Sequence, residues 1–154
     1  MDLPSLTHEQ LGRIACIGDS YQRLTGRPLV PSNGDPIEAL WAASVAIVAH
    51  GTEPDPIFFF GNRTALALFE MDFETFTHLP SRFSAETMLQ EERARILERV
   101  TRDGIIEDYA GVRISATGKR FRISKASVWT LSDGTGAPVG QAAAFAAWTN
   151  LAGG

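Results

Sequence analysis

The sequence predicts an α+β domain, with helices gathered on one face of a five-stranded antiparallel sheet and one further helix in front. Three observations predict it. Apolar residues recur every three or four positions between residues 7 and 25 and again between 84 and 103, which is helix spacing. After Gly104 the chain changes character, with IIEDYAGVRISA, KRFRISKASVWTLSD and GAPVGQAAAFAAW joined by the short turns ATGK and SDGTG. Between the two helical stretches lie two short β-branched and aromatic runs, SVAIVAHG and PIFFFGN, separated by the turn-rich TEPDP. At 154 residues the chain suits one core, which buries roughly 70% of the unfolded surface at that length.

The first helix is expected over Thr7–Thr25. Thr7 and Gln10 make a capping-box pair, and Gly26 with Pro28 supplies the stop. Leu11, Ile14, Ile17, Tyr21 and Leu24 form a single stripe, which must be buried either on the domain's own sheet or on a second copy; the expected assembly is a homodimer through this helix. Residues 1–30 are read as helix and linker, and 31–154 as the main domain. LVPSNGDPIEALWAA follows as linker and a turn of helix. After the predicted hairpin, Asn62 caps a short helix carrying Ala65, Leu66, Leu68 and Phe69, and Asp72 starts another carrying Phe73 and Phe76.

From Ser84 to Asp103 the expected helix buries Met88, Leu89, Ile96, Leu97 and Val100. Glu91–Arg95 and Glu98–Arg102 are four-apart pairs on its solvated side. In the second long strand Phe121, Ile123, Trp129 and Leu131 share one phase of the two-residue period. Lys125 falls in that phase too, so either a bulge intervenes or its ammonium is partly buried. On the last strand Gly140, Ala142, Ala144 and Ala146 make a row small enough for another element to approach the backbone.

Composition excludes several functions. A net charge of −4 argues against a nucleic-acid partner, whose affinity rests on clustered Lys and Arg. Cys16 is the lone cysteine and cannot form an internal disulfide, which fits a reducing compartment. The longest apolar run, Val45–Ala49, is far too short to span a bilayer, and MDLPSLTHEQ has no signal-peptide character. A cytoplasmic protein with no membrane partner is expected. His8, His50 and His78 are scattered, and no zinc or phosphate-loop spacing occurs.

The order helix, two strands, helices, three strands is that of the PAS fold, and IFFFGNRTALALFEMDFETF resembles the second strand and following helices of PAS domains. LPSRFSAE, DYAGVRISATGKRF and GQAAAFAAW resemble the bacterial MEKHLA family, a PAS-related group, over about residues 21–151. The resemblance implies a sensor domain whose ligand lies between the helical cluster and the inner sheet face. The cofactor is unknown. In flavin-binding, light-sensing relatives a reactive cysteine occupies the position that resembles Ser81 here, and the two amide positions resemble Ile123 and Ala142. Flavin-adduct chemistry is therefore disfavoured, and haem lacks a suitably placed histidine.

The ligand-binding candidates are Arg82, Arg113, Tyr109, Gln141, Trp129 and Asn62. Either guanidinium could fork onto a ligand carboxylate or phosphate, or onto an internal acid such as Glu86, Glu107 or Asp108; Tyr109, Trp129 and Gln141 could line the same cavity or serve only as packing. Two other functions stay open. One is a dimerisation module with a filled core. The other is a small isomerase-type enzyme using Asp108 or Glu107 with Tyr109 as hydrogen-bond donor.

Overall fold

The computed structural model describes residues 2–85 and 90–151. Helix α1 (His8–Thr25) opens the chain, and its Thr7/Gln10 capping box is formed, with Gly26 in the left-handed conformation as the stop. α2 (Pro36–Ala42) precedes strands β1 (Ala46–His50) and β2 (Phe58–Gly61); α3 (Arg63–Phe69), α4 (Phe73–Phe76), a 3-10 turn (Ser81–Ser84) and α5 (Gln90–Asp103) follow. β3 (Ile105–Ile114), β4 (Arg120–Ser132), β5 (Pro138–Phe145) and β6 (Ala147–Asn150) complete the sheet. Its strands lie in the order β2-β1-β5-β4-β3, and every named pairing is antiparallel.

The sixth strand is a continuation of the fifth. From Leu131 opposite Gly140 to Phe121 opposite Asn150, β5 and β6 pair with β4 in one register, Ser127 opposite Ala144 and Ser124 opposite Ala147; beyond that span the register shifts between Leu131 and Ser132. Within it the pairing has a gap where β4 kinks. The cause is Lys125, whose φ of 53° lies in the left-handed region. The β3–β4 register shifts on either side of Tyr109, opposite Ala126: the extra residue lies on β3 between Ile106 and Tyr109, and on β4, at the kink, between Ala126 and Ile123.

This irregularity decides the faces. Before it, Phe121 packs edge-on against Phe69 of α3. After it, Trp129 donates its indole N–H to the Ile17 carbonyl of α1 at 3.2 Å and meets Tyr21 edge-on. The expectation of one shared phase for Phe121, Ile123, Trp129 and Leu131 is thus corrected. Successive strand side chains alternate faces, but the bulge at Lys125 resets the count, and its ammonium stays exposed.

α1 lies across the sheet face opposite α3–α5. Ile14 and Ile17 are 1% and 0% exposed, and Ser20, also buried, accepts from Ser132 N at 3.0 Å while Arg23 donates to Ser132 O. Uncovering either isoleucine would cost roughly 1.5–3 kcal/mol. The stripe on which the homodimer expectation rested is therefore used within the chain; Leu24, half exposed, is what remains of it.

The second long helix starts later than its periodicity suggests. Ser81–Ser84 form the 3-10 turn, Ala85 is extended and bridges to Arg113, and α5 begins at Gln90. Met88 and Leu89 lie outside the described residues. Arg102 forks onto the adjacent Asp103 rather than onto Glu98. Among the described residues no helix is long and apolar enough to cross a membrane.

Candidate functional site

Between the helical cluster and the sheet lies a cavity of about 610 Å³. Its walls are mainly apolar: Phe58 and Phe69, Ile96 and Leu97 of α5, and Ile123, Val128, Ala143 and Phe145 of the sheet. Polar groups enter from Ser81, Arg82, Tyr109, Arg113, Gln141 and His50. No Asp or Glu is among the described residues that line it.

The polar corner is built by one strand. Tyr109, Gly111 and Arg113 are two residues apart on β3, and so share a face. The Tyr109 ring leans along the strand over Gly111, where a Cβ would come within 2.6 Å of the Tyr109 hydroxyl. Only a glycine leaves that path clear. The lean brings the hydroxyl to Arg113, whose Nη2 donates to it at 3.2 Å, with the guanidinium carbon 5.6 Å from the ring centre. Tyr109 is buried and Arg113 half-buried. Among the described residues Arg113 has no carboxylate partner.

Arg82 is different. Its Nε donates to both oxygens of Asp55, at 3.1 and 3.2 Å, and its guanidinium stacks on Phe83. More than half of the arginine side chain is exposed. It borders the cavity as part of a solvent-facing ion pair, with an acid already committed to it that lies in the loop between β1 and β2. The other two acids considered for the arginines are also engaged at the surface, Glu107 with Arg27 and Asp108 with Arg99. Glu86 lies outside the described residues.

Four of the six candidates, Arg82, Arg113, Tyr109 and Gln141, therefore border one cavity. Two do not. Trp129 is fully buried on the opposite face against α1, because the bulge at Lys125 turns it there. Asn62 is fully buried but spends its whole amide on the fold. Its Oδ1 accepts from Ala65 N and Ile47 N, and its Nδ2 donates to Leu40 O and Val45 O. It is a helix cap that also ties β1 and α2 together, with no hydrogen-bonding capacity left for a ligand.

The phase of the last strand holds, with Gln141, Ala143 and Phe145 on the cavity side. Ala142 pairs with Trp129 and, since directly paired residues point to one side, its methyl lies on the α1 face. Gln141 and Ala143 flank it on the cavity side, so this strand brings the amide of the candidate Gln141 to the cavity, next to the position that resembles the amide position of the flavin-binding relatives. Sequence reading missed His50 and Phe58. His50 ends a strand that looked like a turn boundary, and its Nδ1 lies 2.9 Å from Gly51 O. Phe58 was legible as a strand residue, but not its side.

The model of the MEKHLA domain family matches residues 11–150. The chain belongs to the MEKHLA domain family. Solved structures similar to this MEKHLA domain include PAS and light-oxygen-voltage domains. A PAS domain from Colwellia psychrerythraea aligns at 14% identity and a TM-score of 0.56, over 73% of this chain and 91% of its own. The Rhodobacter sphaeroides LOV protein aligns at 11% identity and a TM-score of 0.60, over 96% and 70%. A light-oxygen-voltage domain studied with a flavin analogue aligns at 15% and 0.57, over 79% and 87%. At these identities the likeness establishes the fold, and the MEKHLA domain has the PAS fold. No curated protein matches it in sequence.

Proposed function

We propose that this MEKHLA domain is a non-catalytic sensor module that holds one small molecule between its helices and its sheet. The cavity carries the reading. At about 610 Å³ it falls inside the roughly 300–1,000 Å³ typical of small-molecule sites, which are apolar with a few placed polar groups. Native cores are packed to crystal-like density, with few voids larger than a water molecule. A space of this size, in a domain whose opposite sheet face is packed by α1, has the character of a ligand site. The location agrees with the one the PAS resemblance implies.

The isomerase alternative loses its acid. Asp108 and Glu107 are exposed and ion-paired outside the cavity, so neither meets the requirement of a desolvated carboxylate within hydrogen-bond reach of a substrate. The filled-core dimerisation module has to account for the cavity. Ser81 at the position where light-sensing relatives carry the adduct-forming cysteine supports a ligand other than an adduct-forming flavin.

The test is a native mass and an absorbance spectrum of the protein purified without denaturation. A small-molecule mass excess released on denaturation, without a flavin or haem band, is the expected result. A native mass equal to the sequence mass, together with a loss of stability when the cavity is narrowed by substitution, overturns the proposal.

A further inference from the structure

We infer that the molecule bound is a monoanionic carboxylic acid with an apolar body, its carboxylate seated on Arg113; this rests on the cavity reading above and narrows it. Arg113 is half-buried, donates to the Tyr109 hydroxyl, and has no acid beside it among the described residues. A guanidinium withdrawn from water without a counter-charge is costly to the fold. An incoming anion removes that cost, and a carboxylate matches the planar fork of donors with two parallel hydrogen bonds. The Tyr109 hydroxyl, which accepts from Arg113, still has its own proton to donate. The Gln141 side chain makes no hydrogen bond to another described residue and can offer its amide N–H from the facing strand.

The charge count selects the class of anion. Arg82 is neutralised by Asp55, so among the described residues that line the cavity Arg113 is the arginine with no acid beside it. A phosphate monoester carries about −1.5 to −2 at neutral pH and would remain under-neutralised by a single half-buried guanidinium. A carboxylate is matched one to one. The rest of the ligand meets Phe58, Phe69, Ile96, Ile123, Val128 and Phe145, which suits a hydrocarbon or aromatic body and leaves no partner for a second polar group there.

The experiment compares acids with their uncharged counterparts on the full chain, freed of any retained molecule. The probes are sodium octanoate against octanamide, and 2-naphthoate against 2-naphthamide and 2-naphthyl phosphate, measured by calorimetric titration. Each acid should bind at least about tenfold more tightly than its amide or the phosphate, as loss of a charge-assisted hydrogen bond implies. Arg113→Met should erase the preference of acid over amide, Arg113→Lys should keep part of it, and Arg82→Met should leave it unchanged. Because the acid-to-amide ratio is read on the unsubstituted protein, it decides even if Arg113→Met does not fold. Equal binding of acid and amide, tighter binding of the phosphate, or a preference that survives Arg113→Met overturns the carboxylate assignment while leaving the cavity reading intact. If no probe binds and no molecule is retained in the native mass, both fall.

Discussion

The two faces of the β4–β5 pair carry neighbouring residues to opposite fates. On one face Trp129 and Tyr21 meet edge-on, Ile14 and Ile17 are closed off, and Ser20 and Arg23 tie α1 to the end of β4. On the other, Val128, Gln141 and Ala143 border a cavity. The packed face holds the fold while the open face leaves room for chemistry. The two sides are apportioned by one backbone irregularity at Lys125.

Substitutions that remove comparable material from each face should sharpen the contrast. Trp129→Ala empties the packed side and should cost about 3–5 kcal/mol, the usual range for a buried aromatic truncated in a close-packed core. Val128→Ala trims a wall already next to open space. It should cost no more than about 1.6 kcal/mol, the transfer value of two methylene equivalents with no added cavity term. Equilibrium urea unfolding of both checks this, and costs in the reverse order would break the contrast.

Asn62→Ala should rank next, at about 3 kcal/mol, since it removes an N-cap and leaves buried backbone donors and acceptors unpaired. Added ligand should not alter that difference, because Asn62 takes no part in the cavity.

Lys125 tests the origin of the two faces. A left-handed conformation costs an L-residue about 1–2 kcal/mol, and more for a β-branched one. Lys125→Val should therefore destabilise by about 1–2 kcal/mol, whereas Lys125→Gly should be neutral within about 0.5 kcal/mol, relief of strain offsetting the looser unfolded chain. A Lys125→Val protein as stable as the parent would mean that the kink is not fixed here.

The smallest effect expected is electrostatic. Glu70 accepts from the hydroxyls of Ser115 and Thr117, and with Lys119 nearby these hold its carboxyl below the usual glutamate range. A lowered folded-state pKa gives stability that is present above the unfolded value, about 4.3, and is lost as pH falls through the folded one. Glu70→Gln should flatten the stability profile below about pH 4.3 and leave the pH dependence near neutrality unchanged; identical acid limbs in both proteins would show that the contact does not form.

Much of this fold was legible in the sequence because local signals agreed. The Thr7/Gln10 capping box, the Gly26 stop and the Asn62 and Asp72 caps mark their helices where they occur. The identity of the cavity walls was less legible. Period-two counting holds only along an unbroken strand; Lys125 in the apolar phase signalled a bulge or a part-buried ammonium without deciding between them, and the structure has the bulge. Trp129 was consequently assigned to the cavity, whereas Gln141, on a strand with no such kink, was placed there correctly. Asn62 looked available because its donors and acceptors are taken by Leu40, Val45 and Ile47, contacts that only the tertiary fold brings together. The partner of Arg82 was equally hidden, since Asp55 precedes it by 27 positions.

The central claim is that the helix-side space is a ligand cavity and not a filled core. The most direct test is the urea midpoint of Ala143→Leu, measured on protein freed of small molecules. Ala143 borders the cavity on the central strand β5. If the space is open, the larger side chain enters it and stability stays within about 0.5 kcal/mol of the parent or rises, the typical response to filling a void without strain. If the core is already filled, overpacking should lower stability by about 1–3 kcal/mol, and that result would contradict the account.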